Sequence, residues 1–471
     1  MTPTIMKFGG TSVEGATAFQ NAARIVSERA AMRPVVVVSA MAGFTDALLD
    51  AAKEALAVGA GQALAALEKH FDRHHRVIDA LLIKEAPRLR ELVGRTREEL
   101  RELLSQLAAQ NPQRRKLLKD AVVSNGERLS AALFAAVLLE NSFSAKDVDA
   151  RQCIITNDEF GCAAPLMDQT FSSTREQLQT LIDSRCVPVL GGFIGSTLTG
   201  ETTTLGRGGS DYTAALVGAA LGAREIQIWT DVPGVLTADP RIVPRARTVP
   251  RLSFEEAAEL AYFGAKVLHP KTLYPAIERD IPVRICNSRA QESGSTLVLG
   301  ESEKSPQTVK AIAHKTGVTT VQVTSARMLG AYGFLRALFE IFDNHRTAVD
   351  VVTTSEVSVS LSLDDTAALP EIVAELERLG NVSIEEKRAI LCVVGEGLRS
   401  TPGIAARIFS TISDINVSLI SQGASRINLT FAVEESRARD AVSRLHREFF
   451  EIAAEEEEAS KSLSAGIETA V

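Results

Sequence analysis

The sequence predicts an α/β chain in two parts: an αβα sandwich on a mainly parallel sheet over residues 1–300, then two small α+β units of ferredoxin-like type. Three observations carry this. First, short apolar runs rich in β-branched residues (TIMKF, VVVVS at 35–39, VPVLGGF at 187–193, EIQIWT at 225–230) alternate with helical stretches. Runs apolar on both faces suit parallel strands covered by helices on each side. Second, a polar, proline-containing segment, GESEKSPQTVK at 300–310, separates the parts. Third, GFLRALFEIFDNHRTAVDVVTTSEVSVSLS from Gly333 and GIAARIFSTISDINVSLISQGASRINLTFA from Gly403 align without a gap at an offset of 70, matching Phe339 with Phe409 and Ser355 with Ser425. That is an internal repeat.

The helices are expected over 16–32, 44–83, 88–109, 114–140 and 210–222. The block from 44 to 140, rich in Ala, Leu, Glu and Arg, reads as a helical excursion from the sheet, a lid or a packing platform. Each repeat reads helix, strand, turn, strand and is preceded by a further strand, VTTVQVTS or AILCVVGE, which makes a βαββαβ unit. After Ile452 the chain is acidic and short of large apolar groups, so 453–471 reads as a frayed tail.

Composition excludes several classes. A chain of 471 residues calls for two or three domains. With 45% apolar and 23% charged residues it reads as soluble and globular. A net charge of −8 argues against nucleic acid as the main partner. No apolar run approaches the ~18 residues of a membrane span. MTPTIMKFGG lacks a basic segment followed by an apolar one, so a cytoplasmic location is expected. The five cysteines form no C-x-x-C pair and read as reduced thiols, with no metal-ligand set.

Four stretches carry chemistry. In MKFGGTSVEG, the strand ends in Gly9-Gly10, whose amides can face an anion; Thr11 and Ser12 can cap the next turn of the chain, and Lys7 adds a compact positive charge. A tight connection alone would explain a glycine pair. In GETTTLGRGGSDYTAALVGAALGA, 200–223, Ser210 or Asp211 can cap a helix. Capping does not explain Gly206-Arg207-Gly208-Gly209, where an arginine in a glycine loop suits bidentate capture of a carboxylate. In WTDVPGVLTADPR, 229–241, a strand ends at Thr230-Asp231, and ligands gather at the carboxyl ends of parallel strands. In FGAKVLHPKTL, 263–273, Lys266 is a second lysine in a glycine context, or a surface lysine lying along apolar neighbours. His269, beside Pro270, reads as structural. Two lysines and several glycine turns without G-x-x-x-x-G-K-[ST] point to an ATP site that is not a P-loop.

Taken together, KFGGTS, TTTLGRGGSDYTAA, WTDVPG, TADPR and FGAKVLHP resemble the aspartate kinases of the amino-acid kinase superfamily, in their monofunctional, lysine-sensitive form. The resemblance covers about residues 4–450, and the C-terminal repeat matches paired ACT domains. It implies an amino-acid kinase domain at 1–300, an ACT domain built from 311–324 plus 389–450, and an inserted ACT domain at 325–388. It implies ATP, with Mg²⁺ carried mainly by the nucleotide, and transfer of a phosphoryl group to the β-carboxylate of L-aspartate. A carboxylate is already ionised at pH 7, so no general base is needed.

The resemblance assigns roles residue by residue. Lys7, Gly9, Gly10, Asp211 and Lys266 would act on the transferring phosphate, Asp211 by orienting the lysines. Arg207 would clamp the substrate α-carboxylate and Glu127, in SNGERLS, its α-amino group; a helix salt bridge of Glu127 with Arg128 or Arg101 is the plain alternative. Thr45, Thr204 and Ser210 would also touch the substrate. Phe8, Ser39, Thr230, Asp231, Leu236, Arg241 and Val267 would complete the nucleotide site; Leu236 stands where the family often has tyrosine. Lysine would bind at Met328, Phe334, Leu335, Val349, Asp350, Ser355 and Glu356, with Gly330-Ala331-Tyr332 departing from the usual pattern and weakening inhibition. A homodimer through the ACT domains is implied, with a tetramer the larger alternative. The rival readings are a superfamily kinase with another acceptor and an amino-acid sensor without catalysis. No dehydrogenase-sized segment follows residue 450, which points to the monofunctional form.

Overall fold

The computed structural model describes residues 2–264, 270–300 and 308–452. They form two compact units. Of the described residues, the first unit takes 2–235, 250–254 and 270–300; the second takes 236–249, 255–264 and 308–452.

In chain order the elements up to residue 300 are β1 (Thr4–Phe8), α1 (Ala16–Glu28), β2 (Pro34–Val38), α2 (Phe44–Ala57), α3 (Ala60–Leu81), α4 (Ala86–Ala109), α5 (Pro112–Glu140), β3 (Ala145–Val148), β4 (Ile155–Thr156), α6 (Met167–Asp183), β5 (Val187–Gly191), β6 (Ile194–Thr197), β7 (Thr202–Thr204), α7 (Gly209–Leu221), β8 (Glu225–Thr230), β9 (Arg251–Ser253), α8 (Phe254–Tyr262), α9 (Tyr274–Ile277), β10 (Val283–Asn287) and β11 (Ser295–Leu299). The main sheet of the first unit runs β3-β5-β2-β1-β8-β10-β11-β9, antiparallel only between β10 and β11. Every residue of β2 and β5 is buried, as expected of strands covered on both faces. Lys7 sits in register between Val37 and Ile228, and Phe8 between Val38 and Trp229. The loops after β1, β2 and β8 therefore leave the sheet side by side.

The helical block is four helices, not three. The stretch expected as one helix over 44–83 breaks at Gly59, whose φ of +105° lies outside the helical range. α5 is long and apolar enough to cross a membrane, but 89% of its most apolar window is buried in the fold. Its Phe134 ring stacks on Phe8 at 5.4 Å, and Phe8 on Trp229 at 6.1 Å. A small second sheet, β4-β6-β7, ends in the threonines that lead into Gly206.

The second unit continues with β12 (Ala311–Thr324), α10 (Phe334–Asn344), β13 (Val352–Thr354), β14 (Ser358–Leu363), α11 (Leu369–Leu376), β15 (Asn381–Val394), α12 (Ile404–Thr411), β16 (Val417–Gln422), β17 (Asn428–Glu434) and α13 (Glu435–His446). Its antiparallel sheet runs β13-β14-β12-β15-β17-β16. β12 and β15 are long and serve both repeats. Residues 319–324 of β12 pair with β14, while 311–315 pair only with the half of β15 that holds β17. The register shifts at Lys315, Val318 and Thr320 mark the join. The inserted repeat thus takes the half-strand 319–324 that the family resemblance assigns to its neighbour.

Segments 236–249 and 255–264, expected in the first part, fold with the second unit. Hydrogen bonds explain why. The Thr237 hydroxyl pairs with His446 Nε2 at 2.9 Å, the Ile312 amide donates to the Thr237 carbonyl at 2.8 Å, and Lys310 reaches the buried Glu256 at 2.8 Å. The tail 453–471 and most of the 300–310 linker lie outside the described residues.

Candidate active site

Lys7 is the fourth residue of β1, and its ammonium pairs with Asp211 at 2.6 Å. Asp211 lies in the first turn of α7, where a carboxylate also suits the helix dipole. Neither Ser210 nor Asp211 caps that helix. Gly208, at φ +75°, occupies the cap position with no side-chain bond, which leaves both side chains to the site. Gly206, at φ +74°, also takes a left-handed conformation, so the loop bearing Arg207 depends on its glycines. Ser12 does not cap either. Its hydroxyl turns inward, donating to the Trp229 carbonyl at 3.2 Å and sharing a bond with Ser288 at 2.7 Å. The Gly9 amide reaches the same carbonyl at 3.0 Å, and the Gly10 carbonyl accepts from Ala42 at 3.2 Å. The glycine pair is thus fastened to β8 on one side and to the loop after β2 on the other.

One cavity of about 630 Å³ brings together Lys7, Gly10, Ser39, Thr45, Glu127, Thr204, Arg207, Ser210 and Asp211. Arg207 is exposed and makes no ion pair among the described residues. Glu127 is buried. Its Oε1 accepts the Ala40 amide at 3.2 Å, and Oε2 has no hydrogen bond of good geometry. Burial pushes its carboxyl up to about 8, against the opposing pull of the Ala40 amide and the Thr45 hydroxyl. Gly191 permits this placement, because a Cβ there would come within 3.0 Å of the Glu127 Cβ. The alternative ion pair does not form. Arg128 bonds Glu99 and Asn125, each at 2.9 Å, and Arg101 pairs with Glu98.

Other expected residues lie elsewhere. The Phe8 ring is core, so only its backbone is available, and its carbonyl accepts from the Ser39 amide at 3.0 Å. Thr230 ends β8 and Asp231 follows it, but neither lines the cavity; the Thr230 hydroxyl bonds Asp231 at 3.2 Å. Leu236 and Arg241 belong to the second unit, where Leu236 bridges Thr248 and Arg241 pairs with Asp239 at 2.7 Å. Lys266, Val267 and His269 lie outside the described residues. Among those described, no group of three or more His, Cys, Asp or Glu side chains is arranged to hold a metal.

Sequence reading missed Asp120. It lies seven residues before Glu127 on α5, lines the same cavity and is 3% exposed. The i, i+7 spacing of two acids on one helix face was the available signal.

In the second unit, Met328, Phe334 and Val349 pack against the core of the first repeat, while Leu335, Ser355 and Glu356 are exposed. Asp350 is held by internal partners: the Tyr262 hydroxyl donates to it and Lys315 approaches at 3.5 Å. Burial raises its carboxyl above the usual range.

The amino acid kinase family model matches residues 2–287, and an ACT domain model matches 391–449. The lysine-sensitive aspartokinase 3 of Escherichia coli is 39% identical over 458 residues, covering 95% of this chain and 99% of that protein. The crystal structure of E. coli aspartokinase III with aspartate and ADP (R-state) superposes with a TM-score of 0.82 at 38% identity, covering 95% of this chain and all of that one. The same enzyme with lysine and aspartate (T-state) gives 0.80 at 37% identity, covering 95% of this chain and 99% of that one. Sequence, fold and site geometry agree, and the chain belongs to the aspartokinases of the amino acid kinase family.

Proposed function

We propose that this protein transfers the γ-phosphoryl group of ATP to the β-carboxylate of L-aspartate, giving ADP and 4-phospho-L-aspartate, under feedback inhibition by lysine. The observation that carries this reading is the shared cavity. It places the Lys7–Asp211 pair and the glycine turn in one space with a free guanidinium, Arg207, and a buried carboxylate, Glu127. Those are complements for a phosphate, an α-carboxylate and an α-ammonium. The ADP, aspartate and lysine bound by the E. coli relative match this chemistry.

In the reaction a β-carboxylate oxygen attacks the γ-phosphorus while the bond to the β,γ-bridging oxygen breaks. The nucleophile needs no deprotonation, so catalysis rests on positioning and charge. Lys7 meets the charge of the moving phosphoryl group, and Asp211 fixes the direction of its ammonium. The Gly9 and Gly10 turn, with Ser39, cradles the phosphates. Arg207 and Glu127 hold the two ends of the amino-acid moiety, with Thr45, Thr204 and Ser210 beside them. Lys266 would add a second cation, and Thr230, Asp231, Leu236, Arg241 and Val267 would contact the nucleotide. Mg²⁺, held mainly by phosphate oxygens and water, would neutralise part of the triphosphate charge.

Lysine would engage Asp350 and Glu356 through its amino groups, near Met328, Phe334, Leu335, Val349 and Ser355. Leu335, Phe339 and Val352 leave apolar surface exposed in the first repeat, on α10 and the edge strand β13, which supports a homodimer through the ACT domains. A cytoplasmic enzyme fits this chemistry. The test is ATP-dependent formation of aspartyl hydroxamate with aspartate, glutamate or no acceptor, each with and without millimolar lysine. Aspartate-specific product suppressed by lysine is expected; absence of product with aspartate would refute the assignment.

A further inference from the structure

Asp120 projects from α5 into the same cavity as Glu127 and is almost wholly buried. Both of its carboxylate oxygens accept hydrogen bonds. Oδ2 accepts the amides of Thr204 and Gly161, each at 2.8 Å, and Oδ1 accepts the Thr204 hydroxyl at 3.0 Å. Burial works against the charge, while these three donors favour it.

Two consequences follow. The Gly161 turn is tied to β7, and Cys162 in that turn packs where a Cβ on Gly206 would meet its sulfur at 3.1 Å. Asp120 therefore braces the glycine loop that carries Arg207. The second consequence is chemical. A hydroxyl has one proton, and Thr204 gives it to Asp120, so Thr204 Oγ1 can offer the cavity only lone pairs. Such an oxygen accepts from an ammonium and does not donate to a carboxylate.

We propose that Asp120 is a positioning residue for the acceptor amino acid: it fixes Thr204 as a pure hydrogen-bond acceptor that reads the substrate ammonium together with Glu127. The proposal rests on the aspartate kinase reading above. It extends that reading to a residue with no assigned role, and it explains why a second buried acid lies in a cavity that must admit a dicarboxylate.

The test compares Asp120→Asn, Thr204→Val and Thr204→Ser with wild type in the full chain, by steady-state kinetics and by calorimetric titration of aspartate. Asp120→Asn puts an amide donor among groups that need acceptors, and Thr204→Val removes the hydroxyl at constant shape. Both are expected to raise the KM for aspartate tenfold or more while the KM for ATP moves less than twofold. Thr204→Ser is expected to stay within threefold of wild type. An aspartate KM within twofold of wild type in Thr204→Val overturns the proposal, as does a parallel rise of both KM values in Asp120→Asn. If Asp120→Asn does not fold, the Val and Ser variants at 204 decide the matter. A wild-type chain that binds aspartate without turnover refutes the kinase reading, and the binding ratios then decide this one. A wild-type chain that does neither overturns both.

Discussion

Aspartate binding should release a proton from Glu127. In the empty site burial holds its carboxyl at about 8, so at pH 7 only about one molecule in eleven carries the charge. An ammonium at ~4 Å contributes about 4 kcal/mol at an effective dielectric of 20, or about three pK units. With that ammonium beside it the carboxyl is held well below pH 7, so close to one proton leaves with each aspartate bound at that pH. The kcat/KM for aspartate reports the free enzyme. It should rise about tenfold per pH unit from 6 to just below 8 and level off above. The kcat at saturating aspartate should stay nearly flat there. Calorimetry in phosphate and in Tris would count the proton directly. A flat kcat/KM profile with no buffer dependence would mean that the carboxylate is ionised before the substrate arrives, and would refute the argument.

The same geometry sets the outcome of other substitutions. Glu127→Gln should stabilise the protein as pH rises. The folded pKa near 8 exceeds the ordinary 4.5, so the native state binds the extra proton between those values and loses stability through that window; the variant's advantage should approach the order of 5 kcal/mol above pH 8, read by denaturant unfolding at pH 5 and 9. Lys7→Ala should lower kcat/KM by about a thousandfold or more while melting stays cooperative, because the lost charge acts on the transition state. Asp350→Asn should raise the lysine concentration for half-inhibition at least tenfold; an unchanged value would place the effector elsewhere.

What the sequence made legible was whatever depends on local pattern. Strands apolar on both faces gave the parallel sheet, and the offset of 70 gave the paired repeats. The glycine turns around Lys7 and Arg207 stood out because glycine in such numbers needs a backbone reason. Asp120 and the path of 236–264 escaped because their roles are set by distant partners. Asp120 is defined by donors 41 and 84 residues away, and Thr237 by His446, 209 residues away. Capping failed as a guide at Ser12, Ser210 and Asp211 for a related reason. Each lies inside its helix with a glycine at the cap position, and in the fold Ser12 has bonds at Trp229 and Ser288, and Asp211 has the ion pair with Lys7.

The charges in the cavity divide by how they are satisfied. Lys7 already has its counterion, so a phosphate arriving beside it meets a cation whose direction is set, and no reorganisation is needed as the phosphoryl group moves. Glu127 has one amide bond and an unfilled oxygen, and burial keeps it neutral until a cation comes. An empty site therefore avoids a buried unpaired carboxylate, and a filled one gains a charge pair in low dielectric. Discrimination follows from this. An acceptor lacking the α-ammonium would leave Glu127 protonated and contribute nothing there, so succinate should be a poor acceptor although it has the same reacting carboxylate. A succinate kcat/KM within tenfold of that for aspartate would show that Glu127 does not read the ammonium.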